Sequence, residues 1–175
     1  YYETLPERVA AASEGKGIAR VVYWPGEFNY SKIINFGVEH AKGDYLLLLN
    51  NDTEVISPDF IEDMMGYLQR PDAGAVGAKL YFADHLVQHA GILVGVRGAL
   101  AHANQDFSAK REGYLARAVR PGNFSAVTGA CQMVRRDVFE RVGGYNEEFA
   151  VGFNDADFCL RVWEAGYRTI FTPYA

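Results

Sequence analysis

The sequence predicts an α/β fold: a mostly parallel central sheet flanked by helices. Two observations carry this. Tyr45 to Leu49 is a short, wholly apolar run, and a strand with no polar face is buried on both sides, the habit of parallel sheets covered by helices. Segments of helical spacing flank that run, with Ile33, Ile34, Phe36, Val38 and Ala41 before it and Pro58 to Leu68 after it.

Taken in order, Thr4 to Ser13 is expected as a short helix that ends at Gly15-Lys16-Gly17, and the β-branched run Ala19 to Tyr23 as a strand. Pro25-Gly26 turns the chain, and Asn29 or Ser31 caps a helix that runs to Gly43. After the Tyr45 to Leu49 strand, Pro58 suits the first turn of a helix ending near Gln69-Arg70-Pro71-Asp72, and Ala73 to Tyr81 returns as a strand. Periodicity weakens from Ala83 to Gly122, where His89 to Val96 is expected as a strand, Gly91 to Gly98 as a bend within it, and Gly113 to Val119 as a short helix. Phe124 to Val134 follows as a strand, Arg136 to Val142 as a helix, Asp155 to Ala165 as a helix, and Thr169 to Phe171 as a final strand.

The bulk numbers exclude several classes of function. At 175 residues the chain has the usual size of one domain, taken as residues 1–175. Its net charge of −5, with basic residues scattered, leaves no electrostatic footprint for nucleic acid. No apolar run approaches the roughly 20 residues a membrane-spanning helix needs. Cys131 and Cys159 form no CxxC pattern, which speaks against a zinc site or a disulfide framework and fits a reducing cytosolic compartment. No nucleophile elbow, P-loop or dinucleotide-binding glycine motif is present. The opening at Tyr1 and the stop at Ala175 read as a piece of something longer.

Ligands of open α/β sheets bind beyond the carboxyl ends of the strands. Asn50-Asn51-Asp52-Thr53-Glu54 occupies that place. Mg²⁺ needs only one or two protein carboxylates, with phosphates and water completing the shell, so Asp52 with Glu54 or Asn50 would serve; an Asx turn explains the same residues equally well. The second candidate is Asn154-Asp155-Ala156-Asp157 at a helix start. There Asp155 is either a proton acceptor or an ordinary cap, and Asp157 with Arg161 at i and i+4 makes a surface ion contact. His40, His85, His89 and His102 form no ligand pattern; His40 suits a helix C-terminus.

The residues from Asn35-Phe36-Gly37 through Gly43-Asp44-Tyr45 into Leu48-Leu49-Asn50-Asn51-Asp52 closely resemble family 2 glycosyltransferases of the GT-A fold. The resemblance continues in Gly129-Ala130-Cys131, Arg135-Arg136, Gly143-Gly144-Tyr145-Asn146-Glu147 and Phe153-Asn154-Asp155-Ala156-Asp157. It covers most of the chain from Arg20 to Ala175. It implies an inverting transfer of a sugar from a nucleotide-diphosphate donor to a sugar, lipid-linked sugar or protein acceptor, in bacterial surface polysaccharide or glycoconjugate synthesis. Asp52 would be the ligand of a Mn or Mg ion, Asn50 and Asn51 would join it in donor binding, and Asp155 would be the base. His89 with Gln88, and Gly129 and Ala130, are the acceptor-side candidates, and the Ala83 to Gly122 region is expected to shape acceptor choice.

Two departures stand out. Asn50 replaces the first Asp of the family's DxD element, and Asn154 replaces a Glu before the base. The family's base- and ribose-binding strand would lie before Tyr1 and a metal-completing histidine after Ala175. This stretch alone is therefore expected to bind nucleotide sugars weakly and to be inactive by itself. The expected location is cytoplasmic, with a peripheral place at the inner membrane face open to the full-length protein. The alternatives are a carbohydrate- or protein-binding module that kept the fold without the activity and, more distantly, a nucleotidyltransferase.

Overall fold

The computed structural model describes residues 4–12, 19–96 and 98–175. Helix α1 spans Leu5–Ala12, and the expected helix end at Ser13 and Gly15-Lys16-Gly17 lies outside the described residues. Ala19 to Tyr23, expected as a strand, joins no ladder among the described residues, and Val22 and Tyr23 stay exposed. β-propensity without a neighbouring strand to supply N–H and C=O partners does not make a strand. Of the two expected caps, Asn29 is the one used: its side chain accepts from Lys32 N at 3.0 Å and starts α2 (Tyr30–His40). Ser31 is instead buried within α2 and donates to the Phe149 carbonyl at 2.7 Å. His40 closes the helix with Nδ1 at 2.8 Å from the Phe36 carbonyl.

The five-stranded sheet corrects one expectation. It is built from β1 (Tyr45–Leu49), β2 (Ala73–Gly77), β7 (Gly122–Asn123), β8 (Cys131–Arg135) and β9 (Arg168–Phe171), in the order β1-β8-β2-β9-β7. Only the β2–β9 ladder is parallel; β8 is antiparallel to both β1 and β2, and β7 to β9. The class is α/β, yet the sheet is mixed rather than mostly parallel, because β8 enters between β1 and β2 running the opposite way. β1 is consequently an edge strand. Leu46 and Leu48 are buried while Tyr45 and Leu49 are 37% and 45% exposed, so a uniformly apolar sequence has alternating burial.

Both faces of the inner strands are covered, because successive side chains point to opposite sides. Ala75 and Val134 face one core with Phe158, Cys159 and Val162 of α5 (Asn154–Glu164) and with Val138 and Phe139 of α4 (Arg136–Arg141). Val76 and Met133 face the other, against Met64 and Leu68 of α3 (Phe60–Leu68). The fully buried Tyr145 and Phe158 stack at 4.9 Å and 12°, each ring contributing about 1.5–3 kcal/mol by burial.

Between β2 and β8 the chain makes two ribbons, β3 (Leu80–Tyr81) with β4 (Val87–His89) and β5 (Ile92–Val96) with β6 (Ala99–His102). The expected single strand from His89 to Val96 breaks at Gly91, whose φ of +95° carries no side chain easily and where a Cβ would run into the Phe124 ring. The expected helix at Gly113 to Val119 is a single 3₁₀ turn, Tyr114–Ala116. Of the expected strand Phe124 to Val134, only the end forms one, as β8 from Cys131; residues 124–130 are a loop that follows β7. The loop in between carries Thr128-Gly129-Ala130, and its backbone groups bond to the two motifs described next. No helix among the described residues is long and apolar enough to cross a membrane.

Candidate functional site

Two cavities border the two motifs. The larger, of about 700 Å³, opens beyond the carboxyl end of β1 and is bordered by Asn50, Asp52, Thr53, Glu54, Lys79 and Ala130 among others. The smaller, of about 310 Å³, is bordered by Asp155, Asn154, His102, Ile92, Leu100 and the segment Val151 to Phe153.

At the larger cavity, Thr53 Oγ1 donates to the Asn50 carbonyl at 2.7 Å and closes the turn after β1. Asn50 N donates to the Ala130 carbonyl at 2.9 Å. Asp52 is exposed, and among the described residues it makes no hydrogen bond or ion pair with the protein. It caps no helix, because α3 begins only at Phe60. Asn51 is exposed in the turn and does not border the cavity, whereas Gln88 does. Lys79, 7% exposed, is a cation of the same wall; its Nζ donates to the Ala118 carbonyl at 2.8 Å and lies 5.3 Å from the Tyr81 ring.

At the smaller cavity, the Asp155 carboxylate is held by two backbone donors, Ala156 N at 2.8 Å on one oxygen and Gly129 N at 3.1 Å on the other. The second donor comes from 26 residues away, so Asp155 is more than a local cap. Asn154 Oδ1 accepts from Asp155 N at 2.8 Å. Asp157 and Arg161 pair at 2.7 Å, and Arg161 Nη1 also donates to the carbonyls of Val142 and Gly144 at 2.6 and 2.7 Å. The spacing suggests the ion pair as a surface contact; the structure makes it a partly buried clamp between α5 and the Gly143-Gly144 turn.

Tyr30 joins the two motifs. Its hydroxyl lies 3.1 Å from the Gly129 carbonyl and 3.3 Å from Asn50 Oδ1, and the single proton is shared between these acceptors. Burial, then the Asp155 charge, pushes the phenol up to about 12, so it stays a donor. A Cβ on Gly129 would sit 3.0 Å from this hydroxyl and 3.2 Å from that of Tyr145. Asn50, Tyr30, Gly129 and Asp155 thus form one bonded chain.

Residues 3–143 match the sequence profile of glycosyl transferase family 2. The chain belongs to that family. It is 44% identical over 149 residues to the uncharacterized protein y4gI of Sinorhizobium fredii and 39% identical over 153 residues to the O-antigen biosynthesis protein RfbC of Myxococcus xanthus, each match covering 85% of this chain. An N-acetylglucosaminyl-diphospho-decaprenol L-rhamnosyltransferase of Mycobacterium tuberculosis is 28% identical over 142 residues, 75% of the chain. The chain spans only 16%, 12% and 45% of those three proteins. Among solved structures, the mannosyltransferase PcManGT of Pyrobaculum calidifontis, in complex with GDP-Man and Mn²⁺, superposes with a TM-score of 0.62 at 18% identity, covering 98% of this chain and 42% of that one. GalNAc-T7, with UDP, GalNAc and Mn²⁺, gives 0.72 at 15%, covering 98% and 34%. At these identities the likeness establishes a shared GT-A fold.

For a family 2 member the donor set at Asp52 fits a hard divalent cation. Mg²⁺ and Mn²⁺ favour oxygen ligands, and Mg²⁺ in particular keeps waters and takes ligands from substrate phosphates. The free carboxylate of Asp52, with Glu54 on the same wall, suits that role, and no group of three His, Cys, Asp or Glu among the described residues offers an all-protein cage. Cys131 and Cys159 are both buried free thiols, pushed up to about 11 and about 12 by burial, so both stay protonated at neutral pH. Of the acceptor-side candidates, Ala130 borders the larger cavity and Gly129 is buried in the loop that holds Asp155. His89 is fully buried and presents no surface to a ligand. Tyr30, Lys79 and His102 were missed in the sequence. Only the apolar spacing around Tyr30 was legible, and it shows neither the hydroxyl's partners nor its long-range contacts.

Proposed function

We propose that this chain carries the donor site and the base of an inverting, metal-dependent glycosyltransferase. The observation that carries the reading is the Asp155 carboxylate, fixed by two N–H donors at the wall of one cavity and tied through Gly129, Tyr30 and Asn50 to the wall of the other. The larger cavity takes the nucleotide-diphosphate sugar. Asp52 would hold the divalent cation there, and the cation when bound supplies Lewis-acid neutralisation of the departing diphosphate. Lys79 adds a second positive charge on the same wall.

Asp155 accepts the proton of an acceptor hydroxyl from the smaller cavity, and that oxygen attacks the anomeric carbon on the face opposite the diphosphate. Each carboxylate oxygen has one backbone donor and keeps a lone pair, so the group is oriented without being saturated. Configuration inverts because a single in-line displacement has no covalent intermediate. Relatives named for O-antigen biosynthesis and for rhamnosyl transfer to a diphospholipid-linked sugar favour surface polysaccharide assembly with a sugar or lipid-linked acceptor.

The full-length protein is incubated with Mn²⁺, a panel of UDP-, GDP- and dTDP-sugars, and p-nitrophenyl glycosides or a short-chain N-acetylglucosaminyl-diphospho-prenol as acceptor. Nucleoside diphosphate release is expected in the wild type and not in Asp52→Ala or Asp155→Ala. Undiminished turnover in both variants would refute the site, and no turnover under any condition would favour a binding module that kept the fold.

A further inference from the structure

His102 borders the same small cavity as Asp155, and its partner fixes which of its nitrogens can serve a ligand. The argument starts at His89. Its Nε2 lies 3.2 Å from Gly91 N and 3.4 Å from Thr128 N. Backbone N–H groups only donate, so Nε2 accepts and carries no proton. Burial, with His102 as the lesser cause, pushes the His89 ring down to about 3, so it is neutral and its single proton sits on Nδ1. That nitrogen is 3.0 Å from His102 Nδ1. His89 therefore donates to His102, whose Nδ1 must be the bare acceptor, and the proton of the neutral His102 ring is left on Nε2.

His102 lies at an exposed position at the end of β6, while His89 is completely buried. The free Nε2–H is across the ring from His89, and His102 is one of the residues that border the cavity of Asp155. The other walls are largely apolar, from Ile92, Leu100, Val151 and Phe153. Apolar walls with a few oriented polar groups suit the C–H face and hydroxyl edge of a sugar.

The geometry points to His102 as a direct contact of the acceptor sugar: its Nε2–H donates to a hydroxyl oxygen next to the one that Asp155 deprotonates. His89 is a positioning residue that excludes the other tautomer. No proton passes through the pair; the acceptor proton goes to Asp155. The inference rests on the reading of this cavity as the acceptor side, because the metal and donor groups border the other one.

The test uses the full-length protein and whichever acceptor of the panel above is turned over fastest. His102→Ala and His102→Phe each remove the donor but also leave the buried His89 Nδ1–H without its acceptor, so the thermal midpoint of each is measured beside its kinetics. Each is expected to raise the acceptor KM about tenfold, the loss of roughly one hydrogen bond, with the donor KM unchanged. His102→Gln, which keeps an N–H, is expected to recover the acceptor KM to within about threefold of wild type. An unchanged acceptor KM in the Ala and Phe variants, or a rise in the donor KM instead, overturns the assignment while leaving Asp155 as the base. A wild type without turnover removes both readings together.

Discussion

Gly129→Ala tests whether the junction of the two motifs is as tight as its distances say. The added Cβ would lie 3.0 Å from the Tyr30 hydroxyl and 3.2 Å from the Tyr145 hydroxyl, inside the roughly 3.5 Å of a relaxed contact. Tyr145 cannot yield easily, since its ring is buried against Phe158 and its hydroxyl donates to Gln132 Oε1 at 3.0 Å. Overpacking of this kind costs about 1–3 kcal/mol. At about 2–4 °C per kcal/mol for a chain of this size, the melting temperature should fall by about 2–12 °C. Tyr30→Phe alone should cost about 1 kcal/mol, from the hydrogen bond it removes. It also clears the closer of the two clashes, so the double variant should be about 1 kcal/mol more stable than the sum of the single changes. Urea unfolding of all four proteins measures the cycle. Strict additivity would refute the claim that Tyr30 and Gly129 are in enforced contact. Because Gly129 N also holds Asp155, a shift of the loop approaching 1 Å should lower kcat by up to about a hundredfold.

Three further outcomes are expected. Asp155→Asn keeps the size of the side chain but not the base, so kcat should drop about 10²–10⁴-fold with the thermal midpoint changed by only a few degrees; equal losses of fold and activity would argue for a structural role. Arg161→Met leaves the Val142 and Gly144 carbonyls without their donor and Asp157 without its partner, which should cost about 2–4 kcal/mol in urea unfolding; a change below 0.5 kcal/mol would contradict the clamp, that bound being the usual range of roughly neutral surface changes. His89 gives a pH signature. Its folded value, about 3, lies below the ordinary imidazole value of 6.5, so the unfolded chain takes up the proton first. Stability is fully present above about pH 6.5 and is lost as pH falls toward 3. Carboxylates titrate in the lower part of that window, so the clean comparison is between pH 7 and 5.5, where His89→Gln should have a shallower stability slope than wild type; parallel slopes would show that the ring titrates freely.

Local chemistry was enough for much of this protein. The capping Asn29, the apolar run at β1, the helices α3, α4 and α5, and the polar segments after β1 and before α5 all follow from spacing and side-chain type, which short-range geometry expresses within a few residues. Family resemblance then favoured Asp52 and Asp155 as site residues over ordinary turns and caps, a choice that spacing leaves open. What the sequence could not contain is pairing between distant segments. A uniformly apolar β1 looks the same whether parallel and central or antiparallel and at an edge, and the direction of β8 decides which. Ala19 to Tyr23 has strand composition but no ladder among the described residues, because a strand is a property of two segments. The tie from Asn50 through Tyr30 and Gly129 to Asp155 spans three regions of the chain, and the tautomer of His102 is set by a ring buried beneath it. Patterns along the chain report propensity and burial, whereas hydrogen-bond partners are settled only when the fold closes, and the candidate site consists of such partners.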